Sequence, residues 1–296
     1  MRVAVLALGV AVIVLAIAAM LGGQDAAGQA VEEIERSFQL APGQEIVVEN
    51  RNGGISYEAW DGDEVVIRAV KQVRGLIPYF SKWAAERVGI EINQVSSGVR
   101  AVHRFDLAWF TLATVVVHFD VRVPRGWEGD VSLRTSNGRV VARDLHGDAR
   151  LKTSNGAIIV ERQSGSLAAK TSNGRIELKE VSGVVEAETS NGAVIVDGAT
   201  LTQTGRFRTS NGAVSLRARL ERGASYEVRT SNGRVTLALA EPDVQLDLQT
   251  SNGEIELQTE VLVTEVGRTR LAGRIGDGAA RLSARTSNGD ITVSAF

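Results

Sequence analysis

The sequence predicts an all-β fold, a parallel β-solenoid (β-helix) of about 8–9 coils of 18–21 residues with two strands per coil. An N-terminal cap region containing one short helix precedes the coils. Three observations predict this. First, the tetrapeptide Thr-Ser-Asn-Gly recurs from Thr135, Thr153, Thr171, Thr189, Thr209, Thr230, Thr250 and Thr286, at steps of 18, 18, 18, 20, 21, 20 and 36 residues. Self-similarity at such a period marks a repeat architecture. Second, apolar and polar residues alternate on both sides of each copy, the pattern of strands with one buried face. Third, Asn-Gly is a turn signal, because both residues tolerate φ > 0 at low cost.

Residues 1–23 hold Arg2, an uncharged apolar run over 3–21 and Gly22-Gly23. A basic start followed by such a run reads as a signal peptide or an N-terminal transmembrane anchor, since about 19 apolar residues match one bilayer crossing. Arg2 stays cytoplasmic under the positive-inside tendency. The rest is then extracytoplasmic, anchored in the membrane through this segment, or secreted or periplasmic if the signal is cleaved. Residues 24–44, rich in Gln, Ala and Glu, read as a linker with one helical turn.

Residues 45–130 read as a first coil and the cap region. Asn50-Arg51-Asn52-Gly53 is a degenerate copy of the motif, with Val48 and Ile55 at its apolar positions. Trp60-Asp61-Gly62-Asp63-Glu64 then turns into a strand over 65–70. Ser81 is a capping residue for a short helix to about Val88, with Trp83 and Ala84 on one face. Alternation resumes over 90–92, 99–102 and 115–123. Between the last two lies the aromatic stretch 105–112, in which Trp109 and Phe110 form a candidate contact patch. Solenoids need atypical terminal units of this kind, because an open end exposes core and backbone.

Residues 131–296 read as the β-solenoid repeats. Two positions after each motif glycine stand Val140, Ile158, Ile176, Val194, Val214, Val235, Ile255 and Ile291, all β-branched and suited to a pleated strand. Two before each Thr stand Leu133, Leu151, Ala169, Ala187, Phe207, Val228, Leu248 and Ala284. Four before, Gly205 is the one exception to an apolar row. Looser second turns fall at His146-Gly147, Ser164-Gly165 and Ser182-Gly183. A barrel of so many strands could not fill its interior with Val and Leu, and a propeller would bury both faces of its sheets. Stacked coils bury the one apolar face.

Stacking about 4.8 Å apart aligns identical side chains. Asn137, Asn155, Asn173, Asn191, Asn211, Asn232, Asn252 and Asn288 then form a structural ladder of amides, and the Thr hydroxyls are expected to ladder likewise. The 36-residue step is expected to hold one coil with a decayed motif around Val266-Gly267-Arg268-Thr269.

These residues carry a resemblance. Val48-Glu49-Asn50-Arg51-Asn52-Gly53-Gly54-Ile55, then Trp60-Asp61-Gly62-Asp63-Glu64-Val65, the repeated Thr-Ser-Asn-Gly and the ending Gly276-Asp277-Gly278 … Thr286-Ser287-Asn288-Gly289-Asp290-Ile291 resemble the bacterial "putative adhesin" family of unknown function. The resemblance covers roughly residues 45–296. It implies an exported or membrane-tethered β-solenoid and leaves activity open; the stretch 105–112 departs from the family pattern.

Chemistry is sparse. There is no cysteine, so no disulfide framework and no thiolate metal site exists. The net charge of −2 lacks the footprint of a nucleic-acid binder. His103, His118 and His146 have no metal-ligand spacing. The motif serines have no partner base. Asp61, Asp63 and Glu64 lack the spacing of a calcium loop. Glu177, Glu186, Glu254 and Glu256 are the candidates for a polysaccharide-active β-helix enzyme, but lie scattered among basic residues. Neither enzyme activity nor cofactor is expected. The directional feature is the basic position before Thr: Arg134, Lys152, Lys170, Arg208, Arg229 and Arg285, interrupted by Glu188 and Gln249.

The sequence thus points to a non-enzymatic cell-envelope solenoid, an adhesin-like or scaffold surface whose partner is an envelope protein or an anionic polymer. The alternative is a self-assembling scaffold resembling bactofilin filaments, through end-to-end self-association, because only Phe296 follows the last predicted strand.

Overall fold

The computed structural model describes residues 29–75, 88–105 and 113–296. The expected signal or anchor, the expected helix before Val88, and Trp109 and Phe110 lie outside the described residues. Those described form an all-β, solenoid-like system of 23 strands with no helix. The N-terminal strands are β1 (Gln29–Phe38), β2 (Glu45–Glu49), β3 (Ile55–Trp60), β4 (Val65–Gly75), β5 (Val88–Val95), β6 (Gly98–Phe105) and β7 (Ala113–Pro124). The repeats give β8 (Asp130–Arg134), β9 (Val140–His146), β10 (Ala149–Lys152), β11 (Ile158–Ser164), β12 (Leu167–Lys170), β13 (Ile176–Glu188), β14 (Val194–Arg208) and β15 (Val214–Leu220). They continue as β16 (Ser225–Arg229), β17 (Val235–Ala240), β18 (Val244–Gln249) and β19 (Ile255–Leu257). Last come β20 (Leu262–Val266), β21 (Arg270–Ile275), β22 (Ala280–Arg285) and β23 (Ile291–Ala295).

Each motif joins a strand of one parallel ladder to a strand of a second. In the post-motif ladder Val140, Ile158, Ile176, Val194, Val214 and Val235 stand in register. In the pre-motif ladder Leu133, Leu151, Ala169, Ala187, Phe207 and Val228 do the same. Both rows are fully buried against each other. Each Val, Leu or Ile so buried contributes about 1.5–3 kcal/mol. Gly205 interrupts the apolar row for a packing reason: it is in register with Tyr226, and a β-carbon on it would lie 2.9 Å from that ring. The missing side chain makes room for Tyr226, whose hydroxyl donates to the Leu201 carbonyl at 2.7 Å.

The corner departs from expectation in two ways. No motif Asn or Gly of the eight copies has positive φ. The glycines are required instead by close approach: a β-carbon on Gly156 would lie 2.0 Å from the Gly138 carbonyl oxygen, and on Gly174 1.9 Å from that of Gly156. The left-handed residues belong to the second turn, where Asp144, Arg162 and Glu180 (φ 52–55°) precede Gly147, Gly165 and Gly183. The Thr hydroxyls do not ladder with one another. Each is buried and donates to the glycine carbonyl of the neighbouring copy, as Thr153 to Gly138 (2.9 Å) and Thr171 to Gly156 (3.0 Å).

Spatial order differs from chain order at both ends. The β2–β3 tier lies between β6–β7 on one side and β8–β9 on the other. At the far end β22 pairs with both β16 and β18, and β23 with both β17 and β19. The C-terminal tier is therefore inserted between two earlier ones. Three expectations are corrected accordingly. The 36-residue step holds no decayed coil: β20 and β21 form an antiparallel hairpin, with Gly267 N donating to Arg270 O at 2.8 Å, and β21 runs antiparallel on β18. Strand β23 is interior, so Phe296 does not mark an uncapped end. The segment read as a linker contains β1, paired antiparallel with β4 along ten residues from Gln29↔Arg74 to Phe38↔Val65. Its spacing of Val31, Ile34 and Phe38 suits a helical turn, but Phe38 is buried in the core and long-range pairing decides.

Candidate functional site

The eight motif asparagines are exposed and form one continuous line of side-chain hydrogen bonds. Asn155 Nδ2 donates to Asn137 Oδ1, Asn173 to Asn155, Asn191 to Asn173, Asn211 to Asn191 and Asn232 to Asn211, each at 2.8 Å. The line continues from Asn288 to Asn232 (2.7 Å) and from Asn252 to Asn288 (2.9 Å). With both amide ends of the six inner residues engaged along the line, these groups hold the corner rigid and offer little to a ligand.

Beside that line runs the basic row. Its spatial order is Glu49, Arg134, Lys152, Lys170, Glu188, Arg208, Arg229, Arg285 and Gln249. Arg229 and Arg285 are thus neighbours, and Gln249 ends the row rather than breaking it. Lys152, Lys170, Glu188, Arg208 and Arg229, with Ser172, Ser190, Ser210 and Ser231, line a shallow open cleft of about 460 Å³ along the corner. Cations here alternate with hydroxyls, so the wall offers both charge and hydrogen bonds.

The cations are unequally engaged. Lys170 meets Glu186 at 3.1 Å and Glu188 at 3.2 Å; the hydrogen bond it donates to Glu186 is the main cause of its raised pKa. One Arg208 guanidinium nitrogen reaches both oxygens of Glu227, at 2.8 and 2.7 Å. Arg285 lies 3.4 Å from Asp247. Such exposed pairs are worth little to stability. Among the described residues, Arg134, Lys152 and Arg229 form no ion pair within 4.0 Å.

The acids proposed for glycan chemistry do not converge. Glu177 projects from the post-motif ladder and Glu186 from the pre-motif one. Glu177 is bound by Lys179 at 2.9 Å, which holds its carboxyl below the usual range, the wrong direction for a general acid. Glu256 accepts from Gln258 at 2.9 Å, and Asp61 pairs with Arg125. His118 Nδ1 accepts from the Gly54 amide at 3.2 Å, and His146 Nδ1 lies 2.8 Å from the Ser164 hydroxyl. His103 is buried, its Nδ1 2.9 Å from Asn50 Oδ1; burial, then the charges of Arg51 and Lys71, lower its pKa to about 4. Among the described residues no cluster of His, Asp and Glu could hold a metal ion, and no helix is long and apolar enough to cross a membrane. Sequence reasoning missed Arg150, which joins Arg134 and Lys152 on one outer face. The signal was present: it lies two residues before Lys152, on the same side of a strand.

No curated protein matches the chain. Among solved structures it is similar to a "putative adhesin" from Bacteroides fragilis, at 12% identity over 88% of this chain and 96% of that one, with a TM-score of 0.41. A "putative lipid binding protein" from Parabacteroides distasonis matches at 12% identity over 88% and 96%, with a TM-score of 0.39. A "putative cell adhesion protein" from Clostridium sporogenes matches at 8% identity over 89% and 100%, with a TM-score of 0.29. No enzymatic family is indicated. The family model described as Toastrack DUF4097 matches residues 120–294, more than half of the chain, and the protein belongs to that family.

Proposed function

We propose that this protein is a non-enzymatic, adhesin-like surface of the cell envelope, a rigid parallel β-solenoid that holds an anionic polymer along its corner. The observation that carries the reading is the cleft beside the asparagine line, where cations and seryl hydroxyls recur tier after tier in fixed register. A binding wall built on backbone ladders is pre-organised, and pre-organisation lowers the cost of association. An extracytoplasmic location is part of this reading and rests on the apolar run over residues 3–21, which serves as export signal or anchor.

The test is retention of the purified protein on isolated envelope polymer, compared with a variant carrying Arg134→Glu, Lys152→Glu and Lys170→Glu. Retention of the wild type and release of the variant support the reading. Equal retention of both overturns it. The scaffold alternative loses the observation that favoured it, since β23 is paired on both sides.

A further inference from the structure

Over most of the outer surface, opposite charges meet from tier to tier. Arg143 lies 2.9 Å from Glu161, Arg162 2.6 Å from Asp144 and Arg217 3.8 Å from Asp197. On the other ladder Arg206 sits between Glu186 (3.9 Å) and Glu227 (3.5 Å). The outer face of β8, β10 and β12 breaks this rule. Arg134, Lys152 and Lys170 stand directly in register, as Arg208, Arg229 and Arg285 do further along. Here, however, the next position on the face also carries a cation unpaired among the described residues, Arg150, between Ser132 and Ala168. The matching Arg206 of the second row is held by Glu186 and Glu227.

Lys170 is answered by Glu186 and Glu188. Among the described residues Arg134, Arg150 and Lys152 have no ion pair within 4.0 Å. Two of the nearby acids are engaged elsewhere. Glu49, in register with Arg134, holds Arg100 at 2.9 Å, and Asp148 accepts from the Ser166 amide at 3.1 Å. Like charges directly opposite on a sheet are destabilising. A departure of this kind from a rule kept elsewhere is characteristic of a functional position.

We infer that Arg134, Arg150 and Lys152 form an oxyanion site that seats one acidic group of a linear polysaccharide. The inference rests on the polymer-binding reading above and adds the point at which the polymer's charge is fixed. Two guanidinium groups offer planar, paired donors that match a carboxylate or sulfate, and the Lys152 ammonium adds a point charge. Ser132 and Ala168 are too short to cover Arg150. From this site the cleft past Lys170, Ser172 and Glu188 continues along the tiers, with donors and an acceptor for sugar hydroxyls.

The test uses the full-length protein in mild detergent. Isothermal titration is run with tetragalacturonate, a sulfated tetrasaccharide and a neutral tetrasaccharide, with anionic phospholipid vesicles as a separate arm. Binding of an acidic tetrasaccharide but not the neutral one is expected. Arg134→Ala and Arg150→Ala should each weaken it roughly tenfold, Arg229→Ala at the far end of the cleft clearly less, and Arg143→Ala on the other ladder should leave it unchanged. Arg134→Ala should melt at or above the wild-type temperature, because it removes the like charge opposite Lys152. Arg150→Ala should melt close to it, because its opposite neighbours are Ser132 and Ala168. Equal weakening by Arg229→Ala overturns the localised site and leaves the groove reading standing. Binding to vesicles alone overturns the polysaccharide as ligand. Absence of binding to either acidic probe overturns the site, while the groove reading is decided separately by the envelope-retention experiment.

Discussion

A methyl group on Gly174 would meet the Gly156 carbonyl oxygen at 1.9 Å, so Gly174→Ala must push two tiers apart. Backbone cannot yield as a flexible side chain does, and a cost of about 3 kcal/mol or more is expected. Thr171→Val keeps the shape of a buried residue but strips the Gly156 carbonyl of its hydroxyl donor, for about 1–2 kcal/mol. Asn173→Ala removes two bonds of an exposed line, for about 1 kcal/mol. Urea unfolding should therefore rank the three Gly, Thr, Asn. The reverse order would mean that the visible amide line, not the hidden contact, holds the corner. The motif was legible in the sequence, but its division of labour was not. An Asn-Gly pair looks the same whether its glycine serves φ or proximity, and only the neighbouring tier distinguishes them.

His103 supplies a pH dependence with a definite sign. Its folded pKa of about 4 lies below the ordinary 6.5, so between these values the unfolded chain binds a proton that the folded chain refuses. Its contribution is present above pH 6.5 and is lost as pH falls toward 4, by about 3 kcal/mol in total. Urea midpoints measured from pH 7 to 4.5 should fall in the wild type and flatten in His103→Gln. A slope that survives the substitution assigns the effect to another group.

At the scale of elements, β22 and β23 are the least replaceable pieces of the chain. A protein ending at Ala279 leaves β16, β17, β18 and β19 each short of a neighbour. It also loses the burial of Leu282, Ala284, Ile291 and Val293. At about 1.5–3 kcal/mol for each larger side chain, the loss rivals the whole stability of a typical domain. Thermal unfolding of this truncation should show no cooperative transition; a melt near that of the intact chain would mean that the two flanking tiers close the gap. The repeat strands were legible because each carries its alternation locally. Strand β1 and the hairpin of β20 and β21 were not. Their identities depend on antiparallel pairing with β4 and β18, and partner choice leaves no periodic mark.

At the scale of the molecule, neither end offers a clean parallel edge among the described residues. On one side β4 and β5 run antiparallel to the stack and β1 borders it with Glu32, Glu33 and Glu35. On the other, β19 has three residues and β20 is bulged between Val263 and Glu265. Charged, short and bulged borders are the devices that keep sheets from joining edge to edge. The fragment 29–296 is expected to sediment as a monomer at every concentration, and a concentration-dependent polymer would refute this. The basic row was legible as a list of positions, but its order in space was not, because the tiers are not stacked in the order in which they are encoded.

That order bears on how the protein is made. Synthesis runs from the N-terminus, and domains commonly fold as they emerge. Here the strands of residues 244–257 are complete before those of 280–295 exist, yet the later pair must lie inside the earlier one. If the earlier pair docks first on β16 and β17, it occupies the place of the last, and it must detach before the native stack can form. Folding of the C-terminal third therefore waits until residues 280–295 have been made.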